Sequence, residues 1–129
     1  MKTLLLILSL LLITTNVYAE WTFYEITKDG SACFYDKSTV KRNGNKVKVW
    51  RYVSYSPNNE KTASLNVSSS RTLDEIDCVN ETYKMLSMQS FTKPDLEGDM
   101  RDVPLPNPTT YYIVPDSTQA ELMKLVCKK

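Results

Sequence analysis

Asp74, Glu75, Asp77 and Cys78 form the densest group of potentially reactive side chains in the sequence. Carboxylates this close together can hold a hard cation through oxygen, or share acid and base roles. Their setting argues against both uses. In an extended strand Asp74 and Glu75 point to opposite faces, and the run lacks the spacing of an EF-hand loop. The chain has no histidine, which removes Ser-His-Asp and Cys-His nucleophile devices and the common His-based zinc sites. Three glycines in all exclude a glycine-rich phosphate cradle. The acidic run is therefore expected to be a solvated strand edge. No catalytic residue, metal or cofactor is expected, and the chain reads as a non-enzymatic protein.

The three cysteines, Cys33, Cys78 and Cys127, lack the CxxC spacing of redox or zinc motifs. In an exported chain they allow one internal bridge and one remaining thiol, and the spacing alone leaves all three pairings open. Cys33 lies between Ala32 and Phe34 in an apolar run, where a buried thiol is expected. An intermolecular bridge is the alternative.

Export itself is predicted from the leader. Lys2 precedes the apolar stretch 4–13, and Val17 and Ala19 place small residues at the −3 and −1 positions. Cleavage is expected between Ala19 and Glu20, giving a signal peptide over 1–19 and a single domain over 20–129. The apolar stretch is far shorter than the roughly 17–25 residues of a membrane span, so no span is expected after cleavage. No cysteine follows the cleavage point to carry a lipid. Losing Lys2 from 16 basic residues leaves them equal to the 15 acidic ones, which argues against a nucleic-acid partner.

Several elements must position these residues. Residues 20–27 alternate as a strand, with Trp21, Phe23 and Glu25 on one face, and Lys28-Asp29-Gly30 turns the chain back into 32–36. Lys46 to Tyr55 is the clearest strand. Its row Val47, Val49, Arg51, Val53 and Tyr55 is the expected core face. Residues 62–70 read as a weaker strand, with Ala63, Leu65 and Val67 in register. Strands are also expected over 73–78, 80–92 and 109–114, with 100–103 pairing back. Ser117 or Thr118 should cap a C-terminal helix, and Thr118 with Glu121 has capping-box spacing. The resulting fold class is α+β: an antiparallel sheet of about six strands with the C-terminal helix packed on one face.

Trp21, Tyr24, Tyr35, Trp50, Tyr52, Tyr55, Tyr83, Tyr111 and Tyr112 are many aromatics for a small domain. Such rings are common in sheets and also at protein contacts. A protein partner, a homodimer among the options, is the interaction this composition suits. Asn66 and Asn80 begin glycosylation sequons, which matter only in a eukaryotic secretory pathway.

The order of landmarks resembles a known family. Trp21 opens the domain, and Phe34-Tyr35-Asp36 precedes Asn43-Gly44-Asn45. Val47-Lys48-Val49-Trp50 and Glu75-Ile76-Asp77-Cys78 follow, and the chain closes with Val114-Pro115-Asp116-Ser117, Glu121-Leu122 and Val126-Cys127. This is similar to the surface-adhesin protein E family of exported bacterial proteins. The resemblance implies a disulfide between Cys78 and Cys127, within a sheet-and-helix fold. It also implies an adhesin-like protein that binds host matrix or plasma proteins, located in the periplasm or at the cell surface of a Gram-negative bacterium. A periplasmic accessory role in an envelope assembly is the competing expectation.

Overall fold

The computed structural model describes residues 18–128, so most of the expected leader lies outside the described residues. Eight strands form one antiparallel sheet. They are β1 (Trp21–Ile26), β2 (Ala32–Asp36), β3 (Lys41–Asn43), β4 (Lys46–Ser54), β5 (Ser69–Asp77), β6 (Thr82–Phe91), β7 (Met100–Asp102) and β8 (Thr110–Tyr112). The order across the sheet is β1-β2-β4-β5-β6-β7. β3 lies beside β2 along one edge of β4, and β8 lies beside β7 along the outer edge of β6. The long central strands are thus each flanked on both sides. Among the described residues there are also two α-helices, α1 (Glu60–Leu65) and α2 (Thr118–Val126).

α2 packs on one face of the sheet. Its buried Leu122 and Val126 meet Tyr35, Val47, Val49 and Ile76. All four point to the same side, because Val47 pairs with Ile76, and Tyr35 lies opposite Arg51, on the row of Val47 and Val49. Cys78, just beyond β5, is bonded to Cys127 at the end of α2 (Cα–Cα 5.8 Å). This is the pairing the family resemblance implied. Fold class, terminal helix and disulfide all stand as expected.

Four local readings are corrected. Of the strand expected over 62–70, residues 62–65 are instead part of the helix Glu60–Leu65, and only 69–70 are extended, as the start of β5. Asn59 Oδ1 accepts from Lys61 N, and Asn66 takes a left-handed conformation (φ 53°) that stops the helix after one turn and a half. The apparent alternation of Ala63, Leu65 and Val67 is incidental, since Leu65 is 65% exposed. In β1 the register slips between Phe23 and Glu25. That bulge removes Glu25 from the face of Trp21 and Phe23 and sets it opposite Cys33. At α2 the cap is Ser117, whose Oγ accepts from Ala120 N at 3.2 Å. Thr118 Oγ1 instead bonds Gln119, so no capping box forms from Thr118 and Glu121. Finally, the acidic run is no sheet edge, because β5 sits between β4 and β6. Ser117→Ala is expected to cost about 1 kcal/mol, read as a lowered urea midpoint with an unchanged slope.

Candidate protein-interaction face

The face of the sheet away from α2 carries the other row of every strand. The pairing register sets Phe23 beside Phe34, Phe34 beside Tyr52, Tyr52 beside Arg71, Arg71 beside Gln89, and Gln89 beside Asp102. One file of side chains therefore crosses six strands. Its first half is aromatic: Phe34 stacks on Tyr52 (centroids 4.5 Å, planes 11° apart), and Phe23 meets Phe34 edge-on at 5.7 Å. Trp21 closes on Tyr52 edge-on at 4.8 Å. Its second half is a hydrogen-bonded relay, in which Arg71 Nε donates to Gln89 Oε1 (2.6 Å) and Gln89 Nε2 donates to Asp102 Oδ1 (3.0 Å). The Arg71 guanidinium lies over both Trp50 (5.8 Å) and Phe91 (5.4 Å), so cation–π attraction fixes it between two rings.

Neither helix covers this file. The segment 92–99 folds over one end of it. There Ser69 Oγ donates to Lys93 O, Leu96 N donates to Ser69 Oγ, and Tyr52 Oη donates to Asp95. Burial, with Asp95 adding to it, pushes the Tyr52 phenol up to about 12, so its ring stays neutral at any physiological pH. Phe23 and Ile26 remain 51% and 61% exposed. Farther along the same face the side chains become charged. Lys46 pairs with Glu75 at 3.9 Å, and Lys48 stands opposite Glu75.

Of the aromatics singled out in the sequence, the fold brings Trp21, Trp50 and Tyr52 together on this open face. Tyr24, Tyr35 and Tyr83 turn toward the helix side. Tyr111 and Tyr112 sit on the β8 edge, 45% and 83% exposed. Phe23, Phe34, Arg71 and Gln89 were not among the candidates. Only the strand register joins them, and that register is a long-range property.

The acidic residues are dispersed. Asp74 is fully buried on the helix side, where Arg51 Nε donates to its Oδ2 at 2.5 Å. Burial works against the Arg51 charge, and the Asp74 carboxylate outweighs it, holding that guanidinium above its ordinary value. Glu75 and Asp77 point to the opposite face. Asp77 accepts from Val79 N and Asn80 N, and these bonds, Asn80 first, hold its carboxyl below the ordinary range. The three carboxylates therefore share no site. Among the described residues no three His, Cys, Asp or Glu side chains come together as metal ligands.

On the helix side a hollow of about 410 Å³ opens beside the start of α2, with Cys33, Arg51, Thr72, Met88 and Gln119 on its walls. Cys33 is a free thiol with no exposed surface. Burial pushes it up to about 11, against the pull of Arg51. Alkylation at pH 8 is expected to leave Cys33 unmodified in the folded domain and to label it fully after unfolding. Labelling of the folded domain at the rate of a free thiol would contradict this environment.

Among the described residues no helix is long and apolar enough to cross a membrane. No curated protein sequence matches the chain. Solved structures share its fold. Crystal form II of Haemophilus influenzae protein E superposes with a TM-score of 0.63 at 13% identity, covering 88% of this chain and 91% of that one. The selenomethionine form of the same protein gives 0.63 at 14% identity, over 88% and 89%. Protein E from non-typeable Haemophilus influenzae gives 0.58 at 14%, over 88% and 78%. The family described as surface-adhesin protein E matches residues 21–128, essentially the whole of the described fold, and the chain belongs to that family.

Proposed function

We propose that residues 20–129 are an exported, non-enzymatic binding module. It acts as an adhesin-like protein at the surface of a Gram-negative cell, with host matrix or plasma proteins as partners. The observation that carries this reading is the aromatic file Phe23–Phe34–Tyr52 on the face away from α2, exposed at Phe23 and buried at Tyr52, with Trp21, Trp50 and Arg71 around it. Trp, Tyr and Arg supply most hot spots of protein interfaces, because they bury large area at low entropic cost. Membership of the surface-adhesin protein E family supports the adhesin-like role. The disulfide supports export, since such bonds persist in oxidising compartments.

Saturable binding of the oxidised domain to members of an immobilised panel of matrix and plasma proteins is the expected result. Absence of binding across the panel would remove the adhesin version. The disulfide is equally at home in the periplasm, and this favours a second reading in which the same face holds a neighbouring protein of an envelope assembly. Protease added to intact cells separates the two. Digestion supports surface display, whereas protection until the outer membrane is opened supports the accessory role.

A further inference from the structure

Glu20 is exposed, but its backbone is fixed at both ends. Its nitrogen donates to Asp36 Oδ1 at 2.8 Å, and its carbonyl accepts from Lys37 N at 3.1 Å. Asp36 is 3% exposed. The same Oδ1 also accepts from Ser38 N (3.0 Å) and Ser38 Oγ (2.6 Å), which holds the carboxylate rigidly against the start of β1. A buried carboxylate facing a neutral amide is only partly compensated, since charge-assisted bonds are roughly twice as strong as neutral ones.

The nitrogen at this position is also the one that the leader pattern marks for release. We propose that cleavage of the Ala19–Glu20 bond is a maturation step with a structural product, an α-ammonium on Glu20 seated on the buried Asp36 carboxylate. In the hydrolysis a water oxygen joins the Ala19 carbonyl carbon as the C–N bond breaks. Ala19 leaves as a carboxylate, and the Glu20 nitrogen keeps the bonding electrons and takes up protons to become the ammonium. The catalyst is a leader-removing protease selective for small residues at −3 and −1. Nothing is oxidised or reduced. The product has three donors where the amide had one, plus a full positive charge.

The charged side chains adjacent to this pair in sequence are Glu20 itself and Lys37, both exposed. β1 presents Trp21 opposite Asp36, and continuing the β2–β4 register by one residue places Trp50 on its other side. Both rings are uncharged, so the pair is dominated by its own two groups. The inference depends on the export reading only through removal of the leader.

The test uses the full chain, exported and purified without a tag at its start. An intact mass beginning at Glu20 is expected. Retention of Met1 would count against export itself, and a start at another residue would overturn this assignment alone. With Glu20 confirmed, the α-ammonium should titrate about one unit or more above its ordinary value of roughly 7.7–8.0, followed by NMR of the labelled residue. Asp36→Asn should return it to that value.

A form carrying a Gly-Ser extension before Glu20 keeps the amide hydrogen bond and moves the charge away. Its folding equilibrium constant at pH 6.5 is expected to be about tenfold smaller than that of the mature protein, the equivalent of one pKa unit. The sign follows from the raised value of the paired amine. The benefit is complete below the unfolded value near 8 and disappears as pH rises through the folded value, so the two forms should converge above about pH 10. Equal stability at pH 6.5, or an amine titrating in the ordinary range, would overturn the proposal.

Discussion

Arg51→Leu is expected to destabilise the domain by about 3–5 kcal/mol, the usual cost of leaving one member of a buried ion pair alone. Asp74 has no exposed surface, and its Oδ1 has no hydrogen-bond donor among the described residues. Arg51 Nε is its one strong partner. Losing the guanidinium strands a carboxylate on a central strand, between Val49 and Met85. Replacing both residues, Arg51→Leu with Asp74→Leu, should recover most of the loss, because neither charge then has to be desolvated. Urea denaturation of the two single variants and the double variant measures the coupling. A cost below about 1 kcal/mol for Arg51→Leu would mean that the pair is solvated after all.

The second large effect belongs to the disulfide. The paired substitution Cys78→Ala with Cys127→Ala is expected to cost about 2–4 kcal/mol. The bond closes a sequence separation of 49 residues and ties α2 to the end of β5. Without it, α2 is held by Leu122, Val126 and its neighbours alone, on a helix too short to be stable by itself. Reduction of the native protein should give the same deficit as the substitution, and Cys33 should not substitute for either partner, because it is buried in β2. A reduced protein as stable as the oxidised one would show that the helix docks without the bond.

Much of this fold is legible from local pattern. β4 shows in the alternation of Val47, Val49 and Val53, and α2 in the serine cap and apolar stripe from Ala120 to Val126. The turns at Gly30 and Gly44 occur where Asp-Gly and Asn-Gly predict them, both with positive φ. Whatever depends on distant partners is less legible. Asp74 looks solvent-facing because three acidic residues fall in four positions, but its environment is set by Arg51, twenty-three residues earlier. Ala63, Leu65 and Val67 alternate like a strand, yet a helix capped by the side chain of Asn59 takes up 60–65. The bulge at Tyr24 reverses the face of Glu25 without any proline or glycine to announce it. The disulfide pairing could not be chosen from spacing, and only likeness to a family pointed to it. The interaction face is the extreme case, since its members lie on six strands and become neighbours only through register.

The most direct test of the proposed binding face changes its exposed rim and leaves the core intact. Phe23 and Ile26 stand on β1, 51% and 61% exposed, on the rim of the aromatic file. Phe23→Glu with Ile26→Glu introduces two charges there with little expected loss of stability, since exposed substitutions usually fall within about 0.5 kcal/mol. Leu125→Glu, on the exposed side of α2 (37%), is the matched control on the opposite face. Binding of the oxidised domain to a responsive matrix or plasma protein, measured by surface plasmon resonance, is predicted to weaken at least about tenfold in the β1 variant, a loss of ~1.4 kcal/mol, and to stay near wild type in the α2 variant. Undiminished binding by a folded β1 variant, or loss confined to the α2 variant, would contradict the assignment of the open sheet face as the surface this protein uses.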